Sequence, residues 1–488
     1  MTESAVPNNL TPVTSNPHRW RILAVVATAF FMTILDVSIV NVALPSIGRS
    51  LHFTRENLQW VITAYAIAFG GFLLLGGRAA DLLGRRRVFV VGVAVFTIAS
   101  LVCGLSQSEG MLIASRAVQG LGGAIISPAA LSIVMTSFEE GAERNKALGI
   151  WGALGGSGAA VGVLAGGVLT KYLGWEWIFF VNVPVGAVVL ALTPRIVPES
   201  RREGPERHYD VLGAVLVSGG LALLVYTISK APDVGWATAR TILLLIASGA
   251  LLVGFLVNER RLPDPLMPFH IFRVRTVAGA NTVGALLGAV LFANFFLLTL
   301  YVQNVLGYSA LKTGVTFVAT AGTAVVSAGV AQALTTKLGA KPIIAVGLVL
   351  LIGGMIWYSQ IPVNGSYASD LLPGYLMVGV GIAFAYVPVS IAALAGVADR
   401  EAGLASGLIN TAQQIGGAIG VAVASTVFTS HFKTLAREGN PLPVALTGGY
   451  AWAFWALAVC GVLALVAALT LIRREEMAEA PAAAPTAG

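Results

Sequence analysis

Residues 76–89 read GGRAADLLGRRRVF: two glycines, an aspartate, a third glycine and three consecutive arginines, set between two runs of almost pure hydrocarbon. Charge gathered this tightly between apolar runs marks a short polar loop joining two membrane helices. The surrounding chain of 488 residues is 56% hydrophobic and only 11% charged, with a mean hydropathy of +0.82. A soluble globule of this size needs more polar surface than that to cover it, so the composition places the chain in a bilayer. The formal charge is +7. In a nucleic-acid binder that excess forms a stripe interleaved with aromatics, whereas here it lies in loops between apolar runs, and no nucleic-acid partner is expected.

A bilayer core takes about 20 apolar residues per helix. Fourteen such runs are predicted, over 21–44, 57–79, 87–106, 110–135, 145–170, 175–196, 211–229, 240–258, 277–304, 310–336, 341–360, 371–397, 403–429 and 447–472. The polar N-terminal segment lacks a basic region and a small-residue cleavage site, so the first run reads as an uncleaved helix. The Ala/Pro-rich end, 475–488, reads as a disordered tail. With the N-terminus in the cytosol, the loops and tails on that side hold about twenty Lys and Arg against about eight on the other. That imbalance puts both termini inside, together with Arg85, Arg86 and Arg87. Cys103 and Cys460 fall within apolar runs and indicate neither a disulfide framework nor a metal site.

The loop spacing goes beyond a topology signal. Gly77, Asp81 and Gly84 recur every three or four residues and share one helix face, where small residues admit a close neighbour. On this reading the glycines permit contact with a second bundle. Asp81 then caps a neighbouring helix N-terminus or pairs with the arginines, and is a candidate latch for the gate near Arg400 and Glu401. The chain also repeats itself. DLLGRRRVFVVG (81–92) aligns with TKLGAKPIIAVG (336–347), with Thr336 in place of Asp81 and Ala340 in place of Arg85, and RNKALGIWGALGGSGAAVG (144–162) parallels REAGLASGLINTAQQIGGAIG (400–420). Two six-helix halves related by duplication follow, with two helices inserted between them. The predicted organisation is a tail over 1–19, a bundle over 20–198, the inserted pair with its linkers over 199–275, a second bundle over 276–474 and the tail.

The pattern filled by Gly77, Asp81, Gly84, Arg85 and Arg86 resembles the signature between helices 2 and 3 of the major facilitator superfamily. ILDVSIVNVALPSI (34–47), LIASRAVQGLGGA (112–124), WEWIFFVNVPVG (175–186) and YVQNVLGYSALKTG (301–314) are similar to motifs of its fourteen-helix drug/proton antiporters. The resemblance covers about Trp20 to Arg474. It implies an all-α membrane protein of the bacterial cytoplasmic membrane, exporting lipophilic drugs, antiseptics or antibiotics by alternating access. A narrow-substrate metabolite exporter and a proton-driven importer of the same fold stay open. The helix-5 motif is represented by Gly158, Gly162, Gly166 and Gly167, with Val163 where the family usually has proline. Members of the resembled family that export organic cations carry further acids in later helices, and the last six helices here hold none in their interiors, which weakens a dicationic-solute reading.

Within the spans only Asp36 and Arg116 are charged at depth, and an ionisable group there is costly enough to imply function. Counted from the outer ends of their helices at about 1.5 Å per residue, they lie at nearly one level, about 12 and 9 Å in. All five histidines (His18, His52, His208, His270 and His431) fall in predicted tails or loops, leaving Asp36 as candidate proton carrier and Arg116 as its modulator. The alternatives are that Asp36 hydrogen-bonds helices together and that Arg116 braces its helix against carbonyls. In the resembled fold, the cavity-lining helices nominate Asn41, Gln119, Asn294, Asn410, Gln413 and Gln414 as polar solute contacts, with helix–helix bonding the competing role. Phe31, Met32, Phe384 and Tyr386 are candidates for an apolar wall, with core packing the competing role.

GSGAAVG (156–162) lies in an apolar helix with no preceding strand, and GYSALKTG (307–314) lacks the glycine before Lys312, so neither is a nucleotide loop. Energy is expected from a proton gradient, with no cofactor and no metal. A membrane enzyme would need a catalytic pair or metal cluster at depth, and none is visible. The expected partners are protons, small lipophilic solutes and the lipid bilayer, the chain acting as a monomer.

Overall fold

The computed structural model describes residues 18–138, 142–200, 210–262, 265, 267, 269–395, 397 and 402–473; side chains at 55–56, 81–82, 402–403 and much of 142–160 lie outside that set. The predicted tails therefore lie mostly outside the described residues, as do Arg400, Glu401 and the Asp81 side chain. Among the described residues there is no strand. The first bundle comprises α1 (Arg19–Ser50), α2 (Trp60–Leu83), α3 (Arg85–Gly104), α4 (Glu109–Ser137), α5 (Ala142–Tyr172) and α6 (Trp177–Ile196). Two further helices follow, α7 (Val211–Val234) and α8 (Ala239–Arg261). The second bundle comprises α9 (Arg275–Asn304), α10 (Ala310–Leu338), α11 (Ala340–Tyr358), α12 (Leu372–Ala392), α13 (Ala402–Arg437) and α14 (Leu442–Leu471). Thirteen of these are long and apolar enough to cross a membrane, and α5 adds the apolar stretch Val161–Tyr172. We call the face where α1 begins and α14 ends the near face, and its opposite the far face.

Several helices outrun their hydrophobic spans, because backbone hydrogen bonding continues after hydropathy falls. α1 continues through Pro45 to Ser50, and α13 continues to Arg437. That extension corrects the placing of His431 in a loop: it is helical, its Nδ1 3.2 Å from the Val427 carbonyl and its ring stacked on Trp452 at 4.4 Å. A π-helical turn, Tyr367–Leu371, leads into α12, which then ends at Ala392 rather than 397. α5 runs as continuous helix across Val163, where the family's proline would stand.

α7 seals one side of the molecule. Leu221 and Val225 of α7 pack with Ala66 and Ile67 of α2 and with Ala418 and Ala422 of α13. Gln59 Nε2 donates to Ser229 Oγ at 2.6 Å, and Thr426 Oγ1 donates to the Ile228 carbonyl at 3.1 Å. α8 leans on α7, with Ser248 Oγ donating to the Gly220 carbonyl at 2.8 Å.

The charged loop between α2 and α3 is a tight turn at Gly84, whose φ of +107° is open to glycine and strained for any L side chain. Its duplicate, Gly339, has a φ of +86°, so the repeat preserves the turn where it loses the charge. The turn is tied to the end of α6. Arg85 N donates to the Ser200 carbonyl at 2.9 Å and Arg86 N to Glu199 Oε1 at 3.1 Å, and the Arg86 and Arg87 guanidinium groups both lie 3.6 Å from Glu199 Oε2. A Cβ at 84 would stand 2.6 Å from Glu199 Oε1. Gly84→Ala is therefore expected to cost about 1–3 kcal/mol in strain and to loosen Glu199. A lowered thermal midpoint of the purified protein checks this; an unchanged one would show that the turn relaxes freely.

One expectation for this loop needs correction. Gly77 faces Pro128 of α4 within the same half, a Cβ there lying 3.3 Å from Pro128 Cβ. Contact with the second half comes instead from Gly70, against Thr411, Gln414 and Ile415, and from Leu74 against Gly407. Glu259 is only 2% exposed and accepts from Met267 N at 2.9 Å, beside Asp210, which caps α7 and accepts from Gly213 N and Asn258 Nδ2. Glu259 lies one residue beyond the predicted span 240–258, within the last turn of α8, which ends at Arg261.

Candidate proton-coupling site

α1 is clamped at the level of Asp36 by the glycine face of α5. Cβ atoms at Gly158, Gly162 and Gly166 would lie 2.8 Å from Ile34 Cγ2, 2.7 Å from Ser38 Cβ and 2.7 Å from the Ile39 carbonyl. Only a side chain of hydrogen permits this approach. On its other side α1 meets α4 and α6, and there the chain buries a polar cluster in which Asp36 is 0%, Gln119 0%, Ser100 0%, Arg116 1% and Asn182 1% exposed.

The two charges that the sequence singled out are in contact. Arg116 Nη1 donates to Asp36 Oδ2 at 2.5 Å and to Gln119 Oε1 at 2.6 Å, while Nε donates to the Val61 carbonyl at 2.9 Å. The guanidinium lies over the Tyr65 ring at 4.4 Å. Asp36 Oδ1 accepts from Gln119 Nε2 at 2.7 Å and from Asn182 Nδ2 at 3.1 Å. Both amide nitrogens also donate to Ser100 Oγ, at 3.1 and 3.0 Å, and that hydroxyl donates to the Phe179 carbonyl at 3.0 Å. The Cys103 thiol donates to Gln119 Oε1 at 3.5 Å. Every described partner of the carboxylate is thus a donor, which suits the ionised form.

Gln119, nominated as a solute contact, is placed in this cluster instead. Its spacing of three from Arg116 put it on the same helix face, a signal that could have found it. Ser100 and Asn182 were missed, although Asn182 stands in the stretch WEWIFFVNVPVG (175–186).

The other nominated residues divide. Met32 is 3% exposed, packed in the core of the first half with Ile22, Val26 and Phe69 rather than on a cavity wall. Phe31 is half-buried beside Gly158, and Phe384 is half-buried with its backbone against Gly347. Asn41 donates to the Val37 carbonyl of its own helix, and Asn294 is 1% exposed. Tyr386 is 39% exposed and donates to Gln413 Oε1 at 2.9 Å, Gln414 packs on Gly70, and Asn410 is exposed. The last four form a polar strip on α12 and α13.

Besides the α2–α13 contacts described above, the halves meet at the far face. Gln303 Nε2 of α9 donates to the Val42 carbonyl of α1 at 2.8 Å. α5 and α10 touch backbone to backbone: a Cβ at Gly314 would lie 2.8 Å from the Val163 carbonyl, and one at Gly167 2.9 Å from the Ala310 carbonyl. One apolar cluster runs from Ile39, Val42 and Val61 into Leu297, Tyr301 and Phe317 of the second half.

Two six-helix halves closed over a buried charge pair at one face are the architecture of a membrane transport protein. The family comparison agrees: residues 26–421 match the model of the Major Facilitator Superfamily, and the chain belongs to that superfamily. It is a multi-pass transport protein of the bacterial cytoplasmic membrane. Among its relatives are a puromycin resistance protein of Streptomyces alboniger, 40% identical over 95% of this chain and 93% of its own length, and a cephamycin export protein of Amycolatopsis lactamdurans, 38% identical over 93% of each. A bacterial homologue of the human lysosomal transporter Spinster, solved in an inward-facing conformation, shares the fold with a TM-score of 0.66 at 18% identity, over 95% of this chain and 99% of that one.

Proposed function

We propose that the protein is a proton-coupled antiporter that exports small lipophilic compounds, antibiotics among them, with Asp36 carrying the proton. The relatives named for puromycin resistance and cephamycin export support the solute class. The carrying observation for coupling is the donor-only surround of Asp36. A protonated Asp36 must donate a hydrogen, and the groups against it have hydrogens of their own to give. Proton uptake therefore has to break the cage and free α1 from α4 and α6.

The ionised cage belongs to the state closed at the far face. With the near face cytoplasmic, a reading the Lys/Arg excess of its loops supports, solute loads from the cytoplasm while Asp36 is ionised. Opening of the far face then lets Asp36 take a proton from outside and the solute leave. Return to the closed state restores Arg116 and Gln119 to the carboxylate, and the proton departs inward.

The test is proton movement in inverted membrane vesicles with an acid interior, on adding a panel of lipophilic cationic and neutral drugs. Drug-triggered proton release is expected from wild type and not from Asp36→Asn. A response that survives in Asp36→Asn would remove Asp36 as the carrier.

A further inference from the structure

We propose that Ser100, which does not itself bond to Asp36, is the positioning residue that fixes which protonation form of Asp36 the cage accepts. The inference rests on the proton-carrier reading above and deepens it. The Ser100 hydroxyl has one hydrogen, and that hydrogen goes to the Phe179 carbonyl at 3.0 Å. What remains on Oγ are lone pairs, and the Gln119 and Asn182 amide nitrogens both point hydrogens at them. An amide has one NH2 and one oxygen. With its NH2 held between Ser100 Oγ and Asp36 Oδ1, each amide presents hydrogens to the carboxylate and turns its oxygen away.

The two amides are not equally dependent on Ser100. Gln119 has a second restraint, since its Oε1 accepts from Arg116 Nη1 at 2.6 Å and from the Cys103 thiol at 3.5 Å, and neither donor would tolerate an NH2 in that place. Within the cluster, Asn182 is held in its orientation by Ser100 and by the charge of Asp36 alone. Without the Ser100 hydroxyl, Asn182 is free to turn over and offer its oxygen to a neutral Asp36. The cage would then accept the acid as readily as the carboxylate. The ionisable groups that face Asp36 among the described residues are Arg116 from α4, Tyr65 from α2 and Cys103 from α3. All three keep their places when Ser100 loses one oxygen atom.

The experiment is an infrared titration of the purified full-length protein in lipid, following the carboxylic acid C=O band that disappears in Asp36→Asn. Ser100→Ala is expected to move the midpoint of that band up by about one pH unit, a roughly tenfold change in proton affinity. In Asn182→Ala, adding Ser100→Ala should produce no further shift, because the effect passes through Asn182. Ser100→Cys, the variant to use if the alanine does not fold, should shift the midpoint in the same direction by less. A folded Ser100→Ala with the wild-type midpoint, or full additivity with Asn182→Ala, would overturn the proposal. If the band titrates as described while drugs release no protons, the antiport reading fails and the Ser100 assignment stands; if no Asp36 band appears at any accessible pH, both fail.

Discussion

Arg116→Leu is expected to abolish transport and to destabilise the protein by about 3–5 kcal/mol, the range seen when one member of a buried ion pair is removed and its partner keeps its charge. The reason lies in the geometry of this guanidinium. It neutralises Asp36, satisfies the Val61 carbonyl and orients Gln119, three tasks from one side chain that is 1% exposed. Its loss leaves the carboxylate with two neutral amides only. The double variant Asp36→Asn/Arg116→Leu should melt above Arg116→Leu alone, since no charge is then left unpaired. Arg116→Lys keeps the charge and loses the fork and the flat stack on Tyr65, so it should recover part of the stability and little of the transport. Thermal melting of the purified variants beside a vesicle exchange assay decides the matter. A single variant no less stable than the double would mean that the pair is not held as a charged unit.

The charged members of this site are legible in the amino-acid sequence, and the reason is energetic. Charges at membrane depth are so costly that two of them at one level stand out without help from the fold. The neutral members carry no such flag. Serine, asparagine and glutamine occur throughout these helices, and whether Asn182 meets Ser100 depends on how α6 is rotated against α3, which a hydropathy pattern does not encode. The glycines of α5 show the same limit from the other direction. The sequence marks them as the helix-5 motif, but not that Gly158, Gly162 and Gly166 would grip α1 around Asp36 while Gly167, one residue on, met the opposite half. In the GGRAAD stretch the spacing pointed the glycines at the second half, and packing sets Gly77 against Pro128 of α4 instead.

The proximity of those two roles along α5 leads to the second large effect. α5 holds Asp36's helix with one set of glycines and, at the far face, contacts α10 through Gly167 and through the Val163 carbonyl against Gly314. Far-face closure thus relies on backbone touching backbone. Gly314→Leu would put a branched side chain where even one carbon lies 2.8 Å from a carbonyl oxygen, and neither backbone can swing aside as a flexible side chain would. The halves should fold, since Gly314 lies at the rim of the shared apolar cluster and most of that cluster is left in place, but the far face should stay open. We expect transport to fall to background with membrane insertion intact. Asn41→Cys, placed at a position 9% exposed behind the seal, reports the state. A membrane-impermeant maleimide added from the far side should label it slowly in the otherwise wild-type chain and rapidly with Gly314→Leu, measured against the chain without the reporter. Gly314→Leu with transport at wild-type rates would show that the α5–α10 contact is not passed through in the cycle. Lost transport with the reporter still protected would place the damage inside the second half rather than at the gate.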